Sequence, residues 1–122
     1  MGDLSKNFSS EEFACKCNQC GGLAVMKVSF IEMLQRARDF AGVSFRITSG
    51  YRCPRHPETI KRPTSSHPQG FAADIAASGS PTRYQVAKAL LDAGFSRIGI
   101  GETFIHVDSD PSKVQGVIWD YY

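Results

Sequence analysis

No stretch of this 122-residue chain approaches the roughly 20 consecutive apolar residues of a membrane-spanning helix. The opening residues Met1-Gly2-Asp3-Leu4-Ser5-Lys6 lack a basic region followed by an apolar stretch, so no secretory signal is expected. Synthesis in a cytoplasm follows, with any task outside the cell reached by another route. Charge of one sign is also scarce. Lys and Arg number 14 against 12 Asp and Glu, a net charge of +2, and the basic residues are scattered. That gives no nucleic-acid footprint, and no finger-like Cys/His spacing supports one. A mildly cationic surface would still be drawn to an anionic polymer. Internal repeats, low-complexity tracts and dividing linkers are all missing, which leaves one domain over residues 1–122.

With 42% hydrophobic residues and eight Phe, the chain can bury a single core. Ser9-Ser10-Glu11-Glu12-Phe13 has the form of a capping box opening a short helix. Together with a cysteine-rich loop at Cys15–Gly22 it makes an N-terminal section, residues 1–22, ahead of a core at 26–121. Phe30, Ile31, Leu34, Ala37 and Ala41 recur at helical spacing, predicting a helix over 26–41 that Gly42 caps. Ser44–Thr48 alternates as a strand. The segment from Pro54 to Pro68 holds four prolines and no periodicity, so it reads as a long functional loop. Phe71–Ala76 reads as a buried strand. Ser80-Pro81 predicts an N-cap and first helical residue of a helix running to Asp92. Short strands at 97–100, 104–109 and 117–121 end the chain. Helices lead and strands cluster late, so the expected class is α+β: a small antiparallel sheet packed with two or three helices.

The chemistry-bearing residues are fewer. In Phe104–Asp108 strand alternation turns Ile105 and Val107 to the core and sets His106 and Asp108 on the other face. Asp74 lies on the preceding strand with small Ala72 beside it on the same face, and Gly70 allows a tight turn back to His67. Two imidazoles and one carboxylate suit a zinc ion with three protein ligands and one position left for water, the arrangement of a catalytic site. His56 sits in the Pro-rich loop and reads as solvated.

These residues carry a resemblance. Ser65-x-His67-x-x-Gly70-x-Ala72-x-Asp74 is similar to the Ser-x-His-x-x-Gly-x-Ala-x-Asp motif of the D-alanyl-D-alanine carboxypeptidase/L-alanyl-D-glutamate endopeptidase family of zinc peptidases, which shares its fold with the hedgehog signalling domain. Ser49-Gly50-Tyr51-Arg52-Cys53-Pro54 and Ile105-His106-Val107-Asp108 match further, and Phe13-Ala14-Cys15-Lys16-Cys17 resembles the opening of small, often phage-encoded, members. The resemblance implies Zn2+ held by His67, Asp74 and His106, and a peptidoglycan stem peptide as substrate. It implies that Arg52 meets a carboxylate or polarised carbonyl, as a two-pronged, always charged guanidinium can. Ser65 would hydrogen-bond substrate or orient its loop. Asp108 would meet substrate or, as an acceptor, orient a ligand imidazole. The family's acid/base residue commonly stands a few positions before the last His. Here that is Glu102, four residues before His106 where several relatives have three, and Glu102→Gln is expected to keep zinc and lose turnover.

A monomer that lyses or remodels cell wall, as a phage endolysin or virion-borne hydrolase, is the expected setting. The rival expectation is a zinc-bearing structural or binding domain of a phage particle without catalysis. Cys15, Cys17, Cys20 and Cys53 leave three states open: a disulfide involving Cys53, a second zinc held by thiolates, or free thiols.

Overall fold

The computed structural model describes residues 2–62 and 64–121. Ser10–Phe13 form a single 3-10 turn, where the Ser9 N–H donates to the Glu12 carboxylate at 2.7 Å. The first helix, α1, spans Val28–Ala41 and ends on Gly42 in the left-handed region (φ 67). Its apolar stripe of Phe30, Ile31, Leu34 and Ala37 is buried. Strand β1 is Ile47–Ser49, shorter than its alternation suggested. A short helix, α2, spans Pro57–Lys61 inside the segment expected to be loop. Pro57 supplies a preset first helical φ, and the His56 ring accepts from the Glu58 N–H at 3.0 Å. His56 is therefore a helix cap rather than a free loop side chain. Five residues are too few to display a helical period. Pro63 lies outside the described residues.

Strand β2 (Ala72–Ala76), helix α3 (Ser80–Asp92), β3 (Arg97–Ile100), β4 (Phe104–Asp108) and β5 (Val117–Asp120) follow. Gly79, not Ser80, is the N-cap residue of α3. The five strands form one sheet in the order β1-β2-β4-β3-β5. The class is α+β as expected, but the sheet is mixed. β1 to β4 pair antiparallel, while β5 joins β3 in parallel, Val117 opposite Arg97 and Trp119 opposite Gly99. The connection 109–116 carries the chain back across the sheet end, so β5 runs with β3 rather than against it.

The sheet divides the molecule by residue parity. Ala73, Ile75, Ile98, Ile105 and Val107 join Phe30, Leu34, Val86, Leu90 and Phe95 of the helical layer in one core that also takes in Phe8 and Phe13. Ile105 and Val107 are fully buried, each contributing about 1.5–3 kcal/mol. That anchorage fixes what the alternate residues of β2 and β4 present on the opposite face. Among the described residues no helix is long and apolar enough to cross a membrane.

Candidate metal centre

Register builds the centre. β2 pairs with β4 so that Asp74 stands directly opposite His106 and Ala72 opposite Asp108. An irregularity in the β1–β2 pairing falls beside Asp74, where Ser49 becomes its partner. His67 arrives from a 3-10 turn at His67–Gln69, closed by Gly70 in the left-handed region (φ 78). One ligand atom from each of His67, Asp74 and His106 lies within 4.8 Å of the others, and all three residues are buried.

Tautomers follow from the hydrogen bonds. The Nδ1 of His67 lies 2.7 Å from the Gly50 carbonyl, which can only accept, so Nδ1 carries the proton and Nε2 keeps its lone pair. That Nε2 faces Asp74 Oδ1 at 3.5 Å. His106 stands between two carboxylates, Nε2 2.8 Å from Asp108 Oδ2 and Nδ1 3.0 Å from Asp74 Oδ1; with its proton on Nε2, Nδ1 presents a lone pair to the centre. Two imidazole lone pairs and a carboxylate thus meet in a buried space, an arrangement that needs a cation among them. The donor set of two nitrogens and one oxygen suits zinc.

The titration shifts have the same origin: the carboxylates favour positive charge beside them, and a proton on His106 serves where a metal cation would displace it. Burial alone would raise the Asp74 carboxyl, yet hydrogen bonds and positive charge from His106 and His67 hold it well below the usual carboxylate range. Burial would lower His106, but its bonds to Asp108 and Asp74 raise it. Arg52 adds a guanidinium nitrogen 3.5 Å from Asp74 Oδ2.

Around this set lies a cleft of about 740 Å³. Arg52 and Ser65 both line it. Ser65 Oγ also accepts from the His67 N–H at 3.3 Å, which supports the ligand turn. Asp108 is only 1% exposed, with Oδ1 taken by Arg97 Nε at 2.7 Å and Oδ2 by His106. It is placed to orient the imidazole, and it also lines the cleft. Glu102 is not brought to the centre. It is exposed on the β3–β4 turn, its carbonyl accepting from Arg83, and it does not line the cleft. The strand ends at Phe104, so the alternation that aims His106 and Asp108 does not extend to Glu102, and Phe104 itself occupies the cleft wall.

Several contributors carried no sequence signal. Arg97 holds Asp108 while its guanidinium stacks 4.9 Å from the Trp119 ring. The Trp119 and His106 rings are 5.6 Å apart, both flanking side-chain-free Gly99. Ser66 and Asp110 are buried and bonded at 2.8 Å, and the Asp110 N–H donates to Asp108 Oδ1 at 3.2 Å. Only the parity of Gly99 and Trp119 could have pointed to this wall, and that needed the β3–β5 pairing first.

Asp108→Asn removes the anionic acceptor that fixes His106. Zinc affinity is expected to fall by about 10- to 100-fold, measured by chelator competition, with the fold retained. An unchanged affinity would show that His106 is oriented without Asp108.

The sequence pattern of the Peptidase M15 family matches residues 6–108. No curated protein matches the chain. The family match covers most of the chain, and the convergent His67, Asp74 and His106 form a group that could hold a metal ion: this chain belongs to the Peptidase M15 family and is a zinc metallopeptidase.

Proposed function

We propose that the substrate is the stem peptide of peptidoglycan and that the setting is cell-wall lysis or remodelling, as in a phage endolysin. The observation that carries this reading is the charge of the cleft around the metal ligands. Lys61, Arg62 and Lys113 line it in addition to Arg52 and Arg97, against Glu58, Asp74 and Asp108. Asp74 and Asp108 are already committed to histidines and arginines, so the surface offered to a ligand is cationic. Stem peptides are rich in carboxylates, which a guanidinium and ammonium groups bind well.

Zinc, when bound, supplies an acidified water and a Lewis acid for the scissile carbonyl. The chain's own residues do the rest. Arg52, fixed against Asp74, offers donors to a substrate carboxylate or to the oxyanion that forms. Gly50 holds His67 in a single tautomer, and Asp108 can accept from the Nε2–H of His106, so both rings can present lone pairs without turning. Proton transfer falls to a carboxylate lining the cleft. Glu58, in the first turn of α2, lines it, and its carboxylate makes no hydrogen bond or ion pair among the described residues. We assign it the role that the motif spacing had suggested for Glu102.

Digestion of purified peptidoglycan, read by mass spectrometry of the released muropeptides, tests this. Release is expected to stop with chelator and return with zinc. Loss of terminal D-Ala would mark a carboxypeptidase, and cleavage after L-Ala an endopeptidase. Glu58→Gln is expected to lose most turnover with zinc retained, and Glu102→Gln to keep both. The reverse pattern would return the proton to Glu102. Zinc without any turnover on peptidoglycan or other peptides would favour a binding domain.

A further inference from the structure

The second cluster of metal-ligating side chains lies apart from the proposed catalytic cleft. Cys15, Cys17, Cys20 and Cys53 place their sulfurs all within 4.8 Å of one another. Cys17 Sγ is 3.4 Å from that of Cys20 and 3.3 Å from that of Cys53. A disulfide requires about 2.05 Å, and all four are free thiols. Four sulfurs around a tetrahedral zinc at about 2.3 Å stand about 3.8 Å from each other, close to the spacing here. A pair of disulfides would draw the sulfurs together two by two, whereas Cys17 stands equally close to two partners.

The backbone around the thiols supports a charged set. The Gln19 N–H points at Cys17 Sγ at 3.4 Å and the Cys53 N–H at Cys15 Sγ at 3.3 Å. Such donors stabilise thiolates, as at other cysteine–metal centres. Asn18 takes a left-handed conformation (φ 64), folding the Cys17–Cys20 link into a tight turn that aims both sulfurs at one point. Cys15 and Cys53 are buried at 5% and 2% exposure, and Cys17 and Cys20 close the outer side. The sulfurs come from two segments 33 residues apart at their nearest (Cys20 and Cys53), so an ion here would cross-link the N-terminal section to the core.

We propose that Cys15, Cys17, Cys20 and Cys53 bind a second, structural zinc ion that pins the turn carrying the catalytic-site supports. Consecutive residues of that turn each have a task. Gly50 accepts from His67, the Tyr51 N–H donates to Phe13 O at 2.9 Å, and Arg52 reaches Asp74. Cys53 ends the turn as a thiolate ligand. The closed all-sulfur site leaves no position for substrate water, so its contribution is to folding.

The test counts zinc on the intact, reduced protein by native mass spectrometry, with His67→Ala/His106→Ala as the background that removes the other site. Wild type is expected to hold about two zinc ions per chain and this background one. Adding Cys17→Ser and Cys20→Ser is expected to remove the remaining ion. Should that variant fail to fold, cobalt-loaded His67→Ala/His106→Ala protein gives a second readout: intense sulfur-to-metal charge-transfer absorption. Metal-free background protein, with thiols that react at once, would overturn the proposal. So would a mass lowered by disulfide formation in protein purified without oxidant. Neither result depends on whether peptidoglycan is the substrate.

Discussion

His106→Ala is expected to empty the catalytic centre of zinc and reduce peptide hydrolysis by about a thousand-fold or more, since the ion supplies several kcal/mol at about 1.4 kcal/mol per tenfold. The residue stands between Asp74 Oδ1 at 3.0 Å and Asp108 Oδ2 at 2.8 Å. Its loss removes one ligand outright and takes the acceptor's partner from Asp108. The fold is expected to survive. Ile105 and Val107, which secure β4 to the core, are untouched, and Arg97 continues to neutralise Asp108. Zinc content and turnover should therefore fall together while the near-ultraviolet circular dichroism stays native. Retained zinc at this centre with retained turnover would remove His106 from the ligand set.

Gly70→Ala is expected to cost about 3 kcal/mol or more in denaturant unfolding, and Gly42→Ala only about 1–2. Both glycines are left-handed, at φ 78 and φ 67, so both substitutions incur the conformational penalty of a Cβ there. They differ in surroundings. A Cβ on Gly70 would overlap Val25 O and lie 3.2 Å from Lys27 N and 3.3 Å from Met26 Cα, all backbone atoms that cannot swing aside. Nothing lies within 4 Å of a Cβ on Gly42. The Lys27 N–H also bonds the Gly70 carbonyl at 3.0 Å, fastening the ligand turn to the lead-in of α1. Gly70→Ala should thus weaken zinc binding through His67 as well as stability. Equal costs for the two substitutions would show that backbone conformation alone explains the motif glycine.

What could be read from the sequence was what period and register encode. α1 was legible because Phe30, Ile31, Leu34 and Ala37 repeat at helical spacing and Gly42 stops them. Asp74 and His106 were legible because each sits on a short strand with buried aliphatic neighbours, and β2–β4 register sets them opposite. Contacts made by partners remote in the chain stayed hidden. Nothing local in Val117–Asp120 says that it will lie parallel to β3, so the Trp119 and Arg97 wall went unseen. α2 was too short for a period, so the place of Glu58 on the cleft wall could not be read. Spacing from His106 likewise locates Glu102 along the chain, but a turn, not strand alternation, decides where it points, so its place outside the cleft could not be read.

Anomalous diffraction at the zinc edge from crystals of the zinc-loaded protein tests the central claim most directly. The account predicts a peak bounded by His67 Nε2, the Asp74 carboxylate and His106 Nδ1, with no further protein atom bound. No peak among these three side chains, whatever appears at the cysteines, or an ion enclosed here by a fourth side chain, would contradict it.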